Sequence, residues 1–282
     1  MAIDATKLAQ WIGRSESTEE VIAPFPSNAL AATLDRADPP YRAGSALPPL
    51  WHWMHFLPLH PMSAVGADGH AEKGGFLPPV SLPRRMWAGS RLTFHRPLII
   101  GEMARKKSTI AKVEHKSGRS GDLVFVTVRH EMSDRQGLAI DEEHDIVYRA
   151  AVQPGATAPA PIPARLNGDW ERPIHPDPVL LFRYSALTFN SHRIHYDQPY
   201  VTGVEGYPGL IVHGPLIATL LLDGLRRARP DARVTHFEFR ALAPIFDVDD
   251  FAVCGAFENG SRAHLWAKKA GALCMDANAT FS

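Results

Sequence analysis

The sequence has few of the features that mark several large classes of protein. It contains only two cysteines, Cys254 and Cys274, which are too few for a disulfide framework or a cysteine-based zinc site. The 30 basic residues balance the 30 acidic ones, so no overall positive charge is present to hold nucleic acid. The longest apolar run, 216–222, is far too short to cross a bilayer, and the first residues lack the apolar core of a secretory signal. We therefore expect a cytoplasmic protein without nucleic-acid or membrane partners.

Alternating apolar and polar residues divide the first half of the chain into strands. Four such stretches lie between residues 91 and 148, separated by turn residues such as those at 134–137. The pattern predicts an antiparallel meander. Upstream, a short helix is predicted over 4–12, and the segment 50–90, rich in aromatic residues, proline and glycine, is predicted to be an ordered loop.

The second half of the chain repeats this plan after a linker. A stretch rich in proline, alanine and glycine at 151–168 predicts an extended linker between an N-terminal half, 1–150, and a C-terminal half, 169–282. In the C-terminal half we predict a strand over 179–186 and a helix over 210–227, followed by four strands that end at residue 281.

A strand, one long helix and a four-stranded antiparallel meander form the hotdog plan, in which a sheet wraps around a central helix. Two such units in one chain predict an α+β fold of the double hotdog type. Their sheets would pair edge to edge, which protects the exposed edge strands. The helix of the N-terminal half is less evident, and we place it within 28–36 or 50–65.

Two nearby segments of the C-terminal half carry residues suited to catalysis. A histidine-rich segment, 185–200, contains His195, and shortly downstream Gly214 begins the predicted long helix. A helix N-terminus offers unpaired N–H groups, and glycine lets a substrate carbonyl approach the backbone closely. Gly214 is therefore a candidate oxyanion donor and His195 a candidate general base. The alternative is that the His-Gly-Pro sequence merely starts a helix, with Pro215 in its first turn.

These segments resemble the active-site region of the MaoC-like, R-specific enoyl-thioester hydratases. That family uses an Asp-x-Asn-Pro-x-His motif, followed by a helix that begins after an Ala-His-Gly step. The match places His195 at the catalytic histidine, Asn190 at the aspartate and His192 at the asparagine. His213 and Gly214 match the start of the helix.

The departure at Asn190 leaves the source of negative charge open. In the family, aspartate and histidine share the catalytic water, whereas an amide can hold a water but cannot take its proton. Either His195 acts as the base alone, or a carboxylate such as Asp197, or one outside the motif, assists it. Tyr196 and Asp197 are predicted to orient the imidazole.

Two longer stretches narrow the resemblance to one subgroup. FNSHRIHYD and the N-terminal GADGHAEKGGFLPPVSLPRRMWAGSRLTFHRPL resemble mitochondrial 3-hydroxyacyl-thioester dehydratases and bacterial hydratases of itaconyl-CoA and mesaconyl-C4-CoA. The resemblance implies hydration of an acyl-CoA thioester, most naturally a short branched dicarboxylate that gives citramalyl-CoA. A longer 3-hydroxyacyl thioester of fatty acid synthesis is the alternative within the class, and the sequence does not separate CoA from acyl-carrier-protein esters.

Three arginines are candidate contacts for the substrate. Arg84 and Arg85 are predicted to pair with the free carboxylate of a diacid acyl group, because guanidinium groups bind carboxylates in a bidentate manner. A solvated arginine pair is the alternative. Arg240 is predicted to face either the CoA phosphates or water, and His192, Tyr196 and His213 are also expected to line the substrate site.

No cofactor is expected, since CoA is part of the substrate. His192, His195 and Asp197 are spaced closely enough to bind a metal, but hydration of an activated enoyl thioester needs none, and we predict no metal site. We also expect a homodimer or a higher homo-oligomer. Two other functions stay open: a hotdog thioesterase, in which a carboxylate activates water at the carbonyl, and a non-catalytic acyl-thioester binder.

Overall fold

The computed structural model describes residues 3–118, 121–150 and 160–282. The N-terminal half contains two helices, five strands and two short 3-10 turns: α1 (Ala5–Ala9), β1 (Ser15–Val21), α2 (Pro24–Thr33), Trp51–Met54, Met62–Ala64, β2 (Arg84–Phe94), β3 (Met103–Gly118), β4 (Gly121–Asp134) and β5 (Gly137–Arg149). The C-terminal half contains three helices, five strands and one 3-10 turn: β6 (Trp170–Ile174), α3 (Pro178–Leu187), Arg193–His195, α4 (Gln198–Gly203), α5 (Gly214–Ala228), β7 (Val234–Ala241), β8 (Phe251–Asn259), β9 (Arg262–Lys269) and β10 (Ala272–Phe281).

All ten strands form one antiparallel sheet in the order β1-β3-β4-β5-β2-β7-β10-β9-β8-β6. The first five belong to the N-terminal half and the last five to the C-terminal half. The halves join between β2 and β7, where Gly89 lies opposite Arg240 and Thr93 lies opposite His236. The predicted edge-to-edge pairing is therefore present, and it removes one exposed edge from each half.

Helix α5 is the central helix of the C-terminal half. Its residues are buried on nearly all sides from Leu216 to Leu225. The helix begins four residues later than predicted, because the chain just before it is extended: Ile211 bridges Phe246 and the Val212 amide donates to the Ile245 carbonyl. Pro215, which lacks an N–H and has a helical φ, suits the first turn.

The prediction of a strand over 179–186 is wrong, because this segment forms helix α3. Asp177 caps the helix by accepting a hydrogen bond from the Leu180 amide at 2.8 Å, and Pro178 occupies its first turn. Leu181, Tyr184 and Ser185 are buried at helical spacing. These start signals outweigh the strand-like run of apolar residues.

Among the described residues of the N-terminal half, no helix as long as α5 packs against the sheet. Helix α2 overlaps the predicted 28–36, and the Trp51–Met54 turn falls within the predicted 50–65, but neither resembles α5 in length. Strands β1 and β6 were not predicted, and β2 begins within the segment predicted to be a loop. Much of the sheet's inner face is instead covered by apolar residues of the loop 76–82.

A buried carboxylate fixes the Trp51–Met54 turn to the sheet. Glu142 accepts hydrogen bonds from His52 Nε2 at 3.0 Å and from Trp53 Nε1 at 2.9 Å, and its carboxylate also contacts His144. Burial by itself would raise the pKa of Glu142, but His144 and His52 reverse that effect and hold it well below its usual value. The charge is therefore compensated by its hydrogen-bond partners.

The predicted linker, 151–168, lies partly outside the described residues, which resume at 160. The described remainder, 160–168, contains no helix or strand, and Pro163 forms a bridge with Ala272 of β10. The division into halves at this linker stays a prediction. No helix within the described ranges is long and apolar enough to cross a membrane.

We predict that Gly224→Ala destabilises the protein, although alanine usually favours a helix by ~1 kcal/mol over glycine. A Cβ at Gly224 of α5 would lie only 2.3 Å from Cη2 of Trp170, whose ring also covers Gly255. We expect a loss of about 1–3 kcal/mol in the free energy of unfolding, the usual cost of overpacking. Urea denaturation measures it, with Gly260→Ala as control because a Cβ there meets nothing within 4 Å. A Gly224→Ala protein at least as stable as wild type would contradict this account.

Candidate active site

The histidine-rich loop between α3 and α4 is held by its own polar groups. The side-chain Oδ1 of Asn190 accepts a hydrogen bond from the backbone N–H of His192 at 3.0 Å. The backbone N–H of Asn190 donates to the Ser185 carbonyl at 2.8 Å. The loop then turns through Arg193–His195. The side-chain oxygen of Asn190 thus already accepts one hydrogen bond within the loop, whereas its NH2 group donates to no group among the described residues and can serve a substrate or water.

His195 is buried in a defined tautomeric state. Its Nδ1 lies 2.7 Å from the Ile211 carbonyl oxygen. A carbonyl only accepts hydrogen bonds, so Nδ1 carries the proton and Nε2 is free to accept one. Burial lowers the pKa of His195 to about 4, and the imidazole is therefore neutral at pH 7. A neutral imidazole with a free Nε2 is suited to act as a general base.

The same imidazole lies at the N-terminus of α5. The His195 ring stacks on the His213 ring, with centroids 3.7 Å apart and an interplanar angle of 18°, and His213 directly precedes Gly214. His213 Nε2 is in turn hydrogen-bonded to Ser185 Oγ at 2.8 Å. The first N–H groups of a helix have no intrahelical acceptor, so the Gly214 amide is available to a ligand.

There is open space in front of Gly214. A Cβ placed there would meet only one atom within 4 Å, the Trp87 carbonyl oxygen at 3.9 Å. Trp87 belongs to β2, so the site lies between the two halves of the chain. The structure thus brings together the two groups that the sequence singled out, His195 and Gly214.

Asp197 and Tyr196 do not orient the imidazole, and that part of the sequence interpretation is corrected. Asp197 Oδ1 accepts from the Tyr200 amide at 3.1 Å as the N-cap of α4, while Oδ2 accepts from Arg193 Nε at 2.9 Å. The Tyr196 hydroxyl donates to a loop carbonyl at 3.1 Å, and its ring is exposed. The Ile211 carbonyl orients His195 instead.

The two neighbouring arginines that were predicted to bind a carboxylate have different surroundings in the structure. Arg84 is engaged within the protein: it donates to the Tyr207 hydroxyl at 2.8 Å and pairs with Glu205 at 3.2 Å. Arg85 lies opposite Tyr148 of β5. It has no carboxylate partner among the described residues.

Arg240 lies on the outer face of the sheet. Its neighbour Phe239 is buried in the core that contains α5, and successive residues of a strand point to opposite faces. Arg240 itself is exposed. This exposure is compatible with both environments predicted for Arg240, the CoA phosphates and water, and its contact with CoA stays a prediction.

Two residues of the N-terminal half lie beside the histidine-rich loop and were missed by the sequence analysis. Asp68 Oδ2 lies 3.0 Å from His70 Nδ1, and the His70 ring lies 3.8 Å from the ring of His192. His192 is in turn 5.5 Å from His195, measured between ring centroids. The Asp-Gly-His sequence in a glycine-rich loop was the available signal, within a segment that already carried the family resemblance.

The same three side chains are the candidate ligands for a metal. Asp68, His70 and His192 offer ligand atoms within 4.8 Å of one another. However, the positive charge of Arg85 acts on both histidines, and that of Lys73 acts on His70. A divalent cation would thus have one carboxylate to offset two positive side chains, and this charge balance disfavours a metal.

Comparison with known proteins identifies the family of this chain. The family model for hydroxyacyl-thioester dehydratase type 2 matches residues 50–247. Mesaconyl-C(4)-CoA hydratase of Chloroflexus aurantiacus is 50% identical over 261 residues, which cover 92% of this chain and 91% of that protein. The mitochondrial hydroxyacyl-thioester dehydratase type 2 of Schizosaccharomyces pombe is 32% identical over 235 residues, covering 74% and 78% of the two chains.

Solved structures confirm the predicted fold. A MaoC-like dehydratase from Phytophthora capsici superposes with a TM-score of 0.71 at 15% identity, covering 99% of both chains. The structural neighbours include a protein described as a double hotdog. The chain therefore belongs to the hydroxyacyl-thioester dehydratase type 2 family and is a hydro-lyase with a double hotdog fold.

Proposed function

We propose that this enzyme adds water to the double bond of a short branched dicarboxylate bound as its CoA thioester. Mesaconyl-C4-CoA, which gives citramalyl-CoA, is the preferred substrate, with itaconyl-CoA as the related candidate. The observation that carries the proposal is the neutral, buried His195 at the N-terminus of α5. The sequence of the chain is also 50% identical to that of a mesaconyl-C(4)-CoA hydratase. The proposal includes a cytoplasmic homodimer or higher homo-oligomer.

The geometry supports the following sequence of steps. The thioester oxygen accepts a hydrogen bond from the Gly214 amide, which stabilises the negative charge that develops during addition. The water oxygen bonds to the β carbon while His195 Nε2 takes the water proton. The same imidazole then protonates the α carbon, which restores the neutral histidine. The NH2 group of Asn190 helps to place the water, and dehydration follows the same steps in reverse.

A diacid substrate needs a partner for its free carboxylate, and Arg85 is suited to this role. In mesaconyl-C4-CoA the carboxylate is attached to the β carbon, so its partner must lie near His195. The charge of Arg85 acts on His70 and His192, which are close to His195. Tyr148, opposite Arg85, is fully buried, and its hydroxyl lies close enough to the guanidinium of Arg85 to interact with it. A guanidinium beside a phenol forms a suitable carboxylate site.

A dehydratase of 3-hydroxyacyl thioesters is the second candidate, because the fission-yeast relative carries that name. A thioesterase is disfavoured, since an imidazole rather than a carboxylate lies at the start of α5. An acyl-thioester binder without turnover is disfavoured because His195 is neutral and its Nε2 is free. Release of free thiol from a saturated acyl-CoA would reveal the thioesterase, and binding without turnover would reveal the binder.

We predict that His195→Ala lowers turnover of mesaconyl-C4-CoA by at least ~100-fold, the usual scale for loss of an acid–base group. Gly214→Pro, which removes the backbone donor, should have an effect of similar size.

Because the base must be neutral, wild-type kcat/KM should stay constant from pH 8 to 5 and fall as the pH drops through about 4. The loss of enoyl-thioester absorbance measures each rate. His60→Ala, at an exposed histidine, is the control. A folded His195→Ala enzyme with near wild-type turnover would refute the assignment.

We predict that Arg85→Gln lowers kcat/KM for mesaconyl-C4-CoA by roughly 30-fold or more, the scale of a lost charge-assisted hydrogen bond. For crotonyl-CoA, which lacks the carboxylate, kcat/KM should change by no more than about threefold. Both esters are assayed with the same preparations. Arg135→Gln is the control, since Arg135 is exposed and pairs only with Glu102 at the surface. Equal losses for the two esters would show that Arg85 does not recognise the carboxylate.

A further inference from the structure

A loop of the N-terminal half is seated directly on the histidine-rich loop of the C-terminal half. We call this segment, residues 66–70, the GADGH loop. The Arg193 amide donates to the Asp68 carbonyl at 2.9 Å, and Ser191 Oγ donates to the Gly69 carbonyl at 2.6 Å. Both acceptors are backbone groups, so these bonds fix the position of the loop whatever its side chains do.

Gly69 allows the two backbones to come this close. Its φ of +87° is in the left-handed region that favours glycine, and a Cβ there would lie 1.8 Å from the Ser191 carbonyl oxygen. No side chain fits at this position while the loops stay in contact. The close seating of the GADGH loop therefore depends on a specific residue of that loop.

In this position of the GADGH loop, the Asp68–His70 pair lies next to His192 and therefore close to His195. Asp68 Oδ1 accepts from the His70 amide and Oδ2 accepts from His70 Nδ1, both at 3.0 Å. Nδ1 of His70 therefore carries a proton, and its Nε2 is free to accept a hydrogen bond. The His70 ring is tilted by 39° against the ring of His192, with centroids 3.8 Å apart, and the His192 ring is perpendicular to that of His195.

The catalytic centre lacks a negative charge of its own. Asn190 replaces the expected aspartate, and the carboxylate of Asp197 is engaged by α4 and Arg193. Burial lowers the pKa of His192 to about 2, and burial also keeps His195 neutral. When the proton of water moves to His195, a positive charge therefore appears in an environment that disfavours it.

We propose that Asp68 and His70 complete the catalytic centre, with Asp68 supplying the negative charge that Asn190 cannot supply. This inference rests on the proposed hydratase function. Both are positioning residues: Asp68 fixes the tautomer of His70, and His70 fixes the ring of His192 beside the water and His195. The hydrogen bond from His70 holds the pKa of Asp68 well below its usual value, so its charge persists throughout turnover.

The titratable and charged groups around His192 determine how the loss of the Asp68 charge should affect its pKa. His70 and Asp68 face it from the GADGH loop, Arg85 faces it from β2, and His195 from its own loop, while His213 covers the other side of the catalytic imidazole. Asp68 is the one carboxylate among the described groups that act on His192. Its neutralisation should therefore lower the proton affinity of His70 and His192.

The test compares Asp68→Asn and His70→Gln with wild type in the hydratase assay. We expect kcat to fall about 10–100-fold, less than the loss expected for removing the base itself, while KM changes by less than about threefold. Asp68→Glu, which keeps the carboxylate, should recover part of kcat. Glu72→Gln, at an exposed carboxylate beyond the GADGH loop, is the matched control and should behave as wild type.

Three results would overturn the inference. Wild-type kcat in Asp68→Asn and His70→Gln would show that the pair is not used. A fall in kcat that Asp68→Glu does not recover, or one with a drop in Tm like that of Gly69→Ala, would show a purely structural role. Loss of wild-type activity on chelation, restored by Zn²⁺ bound at one equivalent, would make the three side chains a metal site instead. If wild type hydrates no enoyl-CoA ester, the proposed function itself fails.

Discussion

The hydrogen bond between His195 Nδ1 and the Ile211 carbonyl is the interaction on which the site depends. It determines which nitrogen of the imidazole is free, and it ties the histidine-rich loop to the segment that leads into α5. The tie is reciprocal, because the Ile211 amide donates to the Ile194 carbonyl at 2.9 Å. The base and the helix N-terminus are thereby held in one arrangement, which is what preorganised catalysis requires.

The two halves of the molecule contribute different parts of the site. The C-terminal half keeps a buried central helix, and the N-terminus of that helix carries Gly214, the proposed oxyanion donor. In the N-terminal half the structure describes no such helix, and a short turn held by Glu142 and the apolar loop 76–82 pack against its sheet. This leaves Trp87, Arg85 and the GADGH loop facing the site.

Much of this arrangement was predictable from the sequence, for identifiable physical reasons. The meanders followed from period-two alternation, and α5 from an apolar face at helical spacing through Leu216, Leu220 and Leu225. His195 and Gly214 followed from a local motif whose members lie close in the chain. The strand predicted at 179–186 was wrong because an Asp-Pro start signal was overlooked. The neighbourhood of Asp68, His70 and His192 was not predictable, because it depends on a contact between loops more than 100 residues apart, and the orientation of Arg240 depends on strand register.

The most direct measurement of the central claim is a crystal structure with the saturated analogue of mesaconyl-C4-CoA, which binds but cannot be hydrated. The account predicts the thioester oxygen within about 3 Å of the Gly214 amide nitrogen. The β carbon should lie beside His195 Nε2, and the free carboxylate should contact Arg85. A thioester bound away from the start of α5, or a β carbon out of reach of His195, would contradict the account.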